Sequence, residues 1–196
     1  MCPTAFIDSK PSQLLANWVQ ARYPYAQREL MTHLKLQKLL FYCAGAAMAF
    51  DVDDELGTID FQAWEHGPVN FDIWKQYRSE GAEPLTCSSS AVSYSQTVEQ
   101  VMTNALKVYG ALRAWSLRNQ SHLEMPWSSA YNGGRKDIDR VAMKAHFKAR
   151  FLSKPCFAPE HLQDPGTFRI DGLPVTGYKS FQDLADSIFS LYQPHK

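Results

Sequence analysis

The chain has no H-E-x-x-H pair, no paired-carboxylate array, no G-x-S-x-G elbow and no phosphate-binding glycine loop, so no familiar catalytic constellation is written into it. Its four cysteines, Cys2, Cys43, Cys87 and Cys156, are scattered without a C-x-x-C pair. That argues against a zinc ribbon, a redox motif or a disulfide framework and favours reduced structural thiols, as in the cytoplasm. No apolar run approaches the roughly 20 residues that span a bilayer; the longest is Leu39 to Phe50. The opening MCPTAFIDSKPSQ lacks a basic n-region and a long apolar core, so it does not read as a signal peptide. Charge excess is missing too: 20 Lys and Arg balance 20 Asp and Glu, which removes any general attraction to nucleic acid or anionic membrane. There is no internal repeat, and Cys87 to Ser90 is the nearest thing to low complexity.

What the chain does have is apolar content, 45% of 196 residues, enough to bury one core with a segment to spare. Leu34 to Phe50 organises it. Read as a helix, Leu36, Leu39, Leu40, Cys43, Ala47 and Phe50 share one face, while Leu34, Phe41, Gly45 and Met48 form a second on the opposite side. A helix apolar on both sides must be covered on both sides, which predicts a central helix. Its polar residues, His33, Lys35, Gln37 and Lys38, fall in the first two turns, and that end is expected to reach solvent or a partner. The lysines lie where the helix dipole disfavours cations, and Asp51, Asp53, Asp54 and Glu55 follow the end where it disfavours anions. Compensation elsewhere is therefore expected.

Around this helix the pattern predicts a first helix over 11–22 with Leu14, Leu15, Trp18 and Val19 inward, and Thr32 as N-cap of the central helix. Alternation over 57–64 favours a short strand with Ile59, Phe61 and Ala63 on one face. A turn at Glu65-His66-Gly67-Pro68 follows, with Pro68 opening a helix that carries Val69, Ile73, Trp74 and Tyr77 and stops at Gly81. A loop over 82–95 has one extended piece near 91–94. Further helices are expected over 96–109, 111–119, from Pro126 to Tyr131, and over 138–151. The last would turn Val141, Ala145 and Phe147 or Phe151 inward and leave Arg140, Lys144 and Lys148 as a solvated stripe. Pro155, Pro159 and Pro165 mark a linker; then Asp171-Gly172 signals a two-residue hairpin, and Ser180 with Asp183 caps a helix over 181–192.

Two turn histidines, His66 and His122, with Glu124 near the second, would suit an acid/base or metal-dependent enzyme. The plainer reading has each imidazole holding a turn that Trp64 or Trp127 anchors. Cys156 and His161 are too few to make a metal site. Trp64, Phe71, Trp74 and Tyr77 crowd one region, where core packing and interface anchoring are both open. Arg135, Lys136, Arg140, Lys144 and Lys148 could meet phosphate, although no reader fold accompanies them.

Three blocks, Thr32-His33-Leu34-Lys35-Leu36-Gln37-Lys38-Leu39-Leu40-Phe41-Tyr42, then Phe61-Gln62-Ala63-Trp64-Glu65-His66-Gly67-Pro68-Val69, then His122-x-Glu124-x-Pro126-Trp127, resemble the Panacea domain, the antitoxin domain of SocA-like proteins. They stand in the family's order and spacing, and the resemblance covers about 11–150. Ser121 replaces the usual Thr before the His, and Phe41 a common Tyr. The resemblance implies a mainly α fold, a helical domain that the pattern above places over 1–153 around one central buried helix with a short strand element; the hairpin and helix read after the linker make a ββα appendage over 154–196, outside the motifs that carry the resemblance. It implies an antitoxin, not an enzyme, that neutralises a protein toxin encoded beside it in a bacterial or phage pair, or an adaptor presenting the toxin to an ATP-dependent protease. No cofactor and no metal are expected. Leu36, Trp64, His66, Gly67, Pro68, His122, Glu124, Pro126 and Trp127 are expected to be structural motif residues. The exposed part of the central helix, at Lys35, Lys38 and Tyr42, is expected to contact the toxin, with Trp74 as an anchor and the appendage supplying specificity.

Overall fold

The computed structural model describes residues 10–23, 30–85 and 92–152, and the backbone of 169–170 and 173–174. Among these, the chain is mainly helical. Helix α1 (Pro11–Arg22) leads to the central α2 (His33–Ala49), which Thr32 caps by accepting a hydrogen bond from Lys35 N at 3.3 Å. Helices α1, α4 (Gln96–Gly110), α5 (Ala114–His122) and α7 (Arg140–Leu152) pack against α2, so both of its apolar faces are covered. Leu36, Leu39, Leu40, Phe41 and Cys43 are buried there. Each such large side chain contributes about 1.5–3 kcal/mol to stability. Gly45 is where α7 comes closest: a Cβ at this position would run into the ring of Phe147. No helix among the described residues is long and apolar enough to cross a membrane.

Between α2 and α4 the chain makes a 3-10 turn (Asp53–Leu56) and an antiparallel hairpin, β1 (Gln62–Trp64) with β2 (Gly67–Val69). The alternation correctly predicted the burial of Ile59 and Phe61, but the paired strand is only its last three residues. Pro68 does not open a helix. It lies in β2 opposite Ala63, and α3 (Phe71–Tyr77) begins later because Asn70 Oδ1 accepts from Ile73 N at 3.1 Å. Val69 is accordingly a strand residue, and Gly81 lies beyond the helix end. No strand forms over 92–95.

Helix α5 starts and ends three residues later than expected, so His122 closes it instead of lying in a turn. Helix α6 (Met125–Asn132) opens with Pro126 in its first turn and stops before Gly134, whose φ is +65°. In α7 the inward set is Met143, Phe147 and Phe151, whereas Val141 is 78% exposed and Ala145 also faces out. The basic stripe is not simply solvated. Arg140 and Lys144 bind Asp53 at 2.8 and 2.9 Å, and Lys144 and Lys148 bind Asp51 at 3.0 and 2.6 Å. These lysines hold the Asp51 carboxyl below its ordinary range through hydrogen bonds, Lys148 foremost. The stripe thus supplies the compensation that the acidic end of α2 requires.

Further along, β3 (Arg169–Ile170) pairs antiparallel with β4 (Leu173–Pro174), as the Asp171-Gly172 signal predicts. The helix expected over 181–192 lies outside the described residues.

Candidate functional site

The polar end of α2 does not reach solvent. Lys35, Gln37, Lys38 and Tyr42 are all buried, which overturns the expectation of an exposed basic end. The reason is a set of partners remote in sequence. Gln37 Oε1 accepts from Asn70 N at 2.7 Å while its Nε2 donates to Asn70 O at 3.2 Å, so one side chain satisfies both backbone groups of the residue joining β2 to α3. Asn70 Nδ2 in turn donates to Ser12 Oγ at 3.0 Å and Asp60 O at 2.9 Å. His33 stands one turn before Gln37, its Nε2 3.1 Å from Gln37 Nε2. Its pKa is lowered by burial and then by Lys38.

Lys38 donates from Nζ to Pro68 O at 2.8 Å with no exposed surface. Burial, then the Arg118 charge, pulls its pKa down to about 7. Gly67 is required beside it: φ is +91°, and a Cβ would lie 2.5 Å from Ser121 Oγ and 3.0 Å from Lys38 Nζ. Next along α5, His122 stacks on Trp127 at 3.9 Å between ring centroids. Desolvation, followed by Arg118, Lys38 and His66, takes His122 down to about 4, against a hydrogen bond to the Glu65 backbone. Trp127 donates from Nε1 to Trp64 O at 3.0 Å and stacks on Tyr131, which ties α6 to the hairpin.

Glu124 belongs to a different cluster. Fully buried, it accepts from Tyr42 Oη at 3.0 Å, bonds His146 Nε2 at 2.7 Å and accepts from Arg150 Nη1 at 2.7 Å. Tyr42 lies flat on Tyr109, centroids 3.8 Å apart, and burial followed by the Glu124 charge pushes its pKa well up. With its oxygens taken, Glu124 is not available to His66 and His122 as an acid/base partner. Among the described residues no group of three or more His, Cys, Asp and Glu is gathered to hold a metal.

Over this interior lies an exposed face of rings and cations. Trp64, Trp74 and Phe71 form a connected set, Trp64–Trp74 at 5.0 Å and Phe71–Trp74 stacked at 5.7 Å. Lys75 and Lys136 stand over Phe71 at 5.9 and 5.7 Å, and Arg78 over Trp74 at 5.6 Å. Beyond the hairpin turn, His66 meets Trp115 edge-on, with Arg118 above the same indole at 5.9 Å. Phe71 is 41% and Trp115 60% exposed.

The model of the family described as "Antitoxin SocA-like, Panacea domain" matches residues 36–128. That segment is thus similar to a SocA-like Panacea domain. No curated protein and no solved structure matches the chain. The match supports a toxin–antitoxin role, and a toxin as partner, in general terms.

Within the matched segment the expected motif residues occupy distinct places. Leu36 is core; Gly67 and Pro68 are held by Lys38; Trp64, His122 and Trp127 join hairpin to α5 and α6; Glu124 faces Tyr42 and α7; Pro126 is buried at the start of α6; His66 is exposed. Trp74, expected as an anchor, is half-buried in the aromatic face. Lys35 is buried over the Tyr23 ring, Lys38 against Pro68 O, and Tyr42 against Tyr109 and Glu124. Asn70, Ser121, His146 and Arg150 were missed. Asn70 alone carried a local signal, as an N-cap residue three positions before Ile73.

Proposed function

We propose that this chain is a cytoplasmic antitoxin that binds and neutralises a protein toxin encoded beside it in a bacterial or phage pair. The observation that carries the reading is the exposed face of Trp64, Phe71 and Trp74 with cations standing over its rings, mounted on a buried polar hub. Aromatic and Arg side chains around a rigid centre are the usual anchors of protein interfaces. Trp74 contacts the toxin here, while Lys35, Lys38 and Tyr42 act from the interior, Lys38 by fixing the Gly67-Pro68 turn. The segment from residue 154 onward adds toxin specificity. Co-expression with the adjacent open reading frame tests the reading. Growth rescue with a co-purifying complex supports direct neutralisation; rescue without a complex favours delivery to a protease; the absence of both rescue and complex refutes both readings.

A further inference from the structure

Six of the described cations are answered by carboxylates: Lys10, Arg22, Arg140, Lys144, Lys148 and Arg150 each form an ion pair of 3.0 Å or less. Among the described cations for which there is no ion pair, Lys75, Arg78 and Lys136 gather at one place, over the rings of Phe71 and Trp74. Carboxylates are close in sequence yet engaged elsewhere or turned aside. Asp72 is held by Lys10 at 3.0 Å, Asp137 accepts from Gln62 at 3.2 Å, and Glu80 and Glu83 beyond α3 reach none of the three.

A cation over a ring is positioned but not neutralised. The quadrupole holds its inner side, and its outward N–H donors stay charged, with no hydrogen-bond acceptor among the described residues. Three such groups around one exposed aromatic cluster form a preorganised receptor for anions, with less side-chain entropy left to lose on binding. The cluster also presents little bare ring. Phe71 is covered by Trp74 and by two ammonium groups, so a nucleobase has scant face on which to stack. What protrudes is charge beside apolar edges, which fits carboxylates spaced along a polypeptide with apolar residues between them.

We propose that the hairpin–α3 face recognises an acidic, apolar-containing segment of a protein partner, the carboxylates engaging Lys75, Arg78 and Lys136 from outside while apolar side chains meet Phe71 and Trp74. The inference rests on the antitoxin reading in taking the toxin as that partner. The test uses the full chain and the triple variant K75E/R78E/K136E, with K107E on α4 as a control outside the face and thermal melting as the check on folding. A labelled peptide of alternating Glu and Phe should bind the wild type, bind roughly tenfold or more weakly to the triple variant, and weaken with salt, while K107E stays unchanged. Its Lys-and-Phe counterpart should not bind. If neither peptide binds, if both bind alike, or if labelled oligo-dT binds more tightly, the proposal is overturned. In parallel, the complex with the adjacent gene product is titrated against the same variants. A wild-type complex that the triple variant forms equally well overturns this proposal and leaves the antitoxin reading intact. A Glu-and-Phe peptide that binds as expected, with no wild-type complex and no rescue, supports the acidic-segment receptor and removes the toxin.

Discussion

Helix α7 and the hairpin–α3 face carry the same kinds of side chain to opposite ends. On α7 every described Lys and Arg finds an anion: Arg140, Lys144 and Lys148 meet the aspartates after α2, and Arg150 meets Glu124, which also bonds His146. On the hairpin–α3 face the cations meet only rings. Regular i, i+4 spacing therefore marked a tie within the fold, whereas the irregularly spaced Lys75, Arg78 and Lys136 mark the surface left for another molecule. The charge itself is uninformative; whether an anion answers it within the chain decides its role.

The comparison breaks most severely at Glu124. Replacing it by Ala leaves Arg150 and Tyr42 facing a buried void, and denaturant titration should show a loss of about 3–5 kcal/mol, the usual cost of removing one partner from a buried charged set. Asp53→Asn should cost about 1–2 kcal/mol, near the low end for hydrogen bonds to charged groups because Arg140 and Lys144 are each a third exposed. Combined with Asp51→Asn it should also turn α7 into an unanswered basic surface, seen as later elution from a polyanion column.

A smaller effect is expected from Lys38→Met, within about 1 kcal/mol at neutral pH, since burying a cation and pairing it with a carbonyl nearly offset. Its signature is the pH profile. With the folded pKa of Lys38 at about 7 and the ordinary value at 10.5, the unfolded chain holds more protons between these limits. Wild-type stability should thus rise with pH across that window, and the slope should shrink in Lys38→Met. His122, lowered from 6.5 to about 4, acts in a separate window: its contribution is complete above pH 6.5 and is lost as pH falls towards 4. Smallest of all, Lys136→Ala should leave stability within about 0.5 kcal/mol, because it has no carboxylate partner to lose.

The helices were legible where apolar spacing repeats. The predicted span of α1 matches, and the doubly apolar pattern of Leu34 to Phe50 correctly required a covered central helix. Of the crowded Trp64, Phe71, Trp74 and Tyr77, the first three are rings in mutual contact and Tyr77 packs against the core. What periodicity could not reveal was the burial of Lys35, Gln37 and Lys38, because polarity predicts exposure unless a partner is known, and the partners Pro68 O and the Asn70 backbone lie some thirty residues away. Val141 misled for the converse reason. An apolar residue near a helix start was counted inward, while Met143 and Phe147 hold that side. Pro68 suited a helix start and equally a strand position that needs no amide donor, and only the Asn70 cap decides between them.

The grip of Gln37 on Asn70 has a consequence for how this surface can change. Gln37 holds the main chain of Asn70 and no side chain of α3. That hold on the entry to α3 is therefore indifferent to which residues stand at positions 71, 75 and 78. Those positions can be rewritten together, in nature or at the bench, to suit a different adversary while the chassis underneath is inherited unchanged.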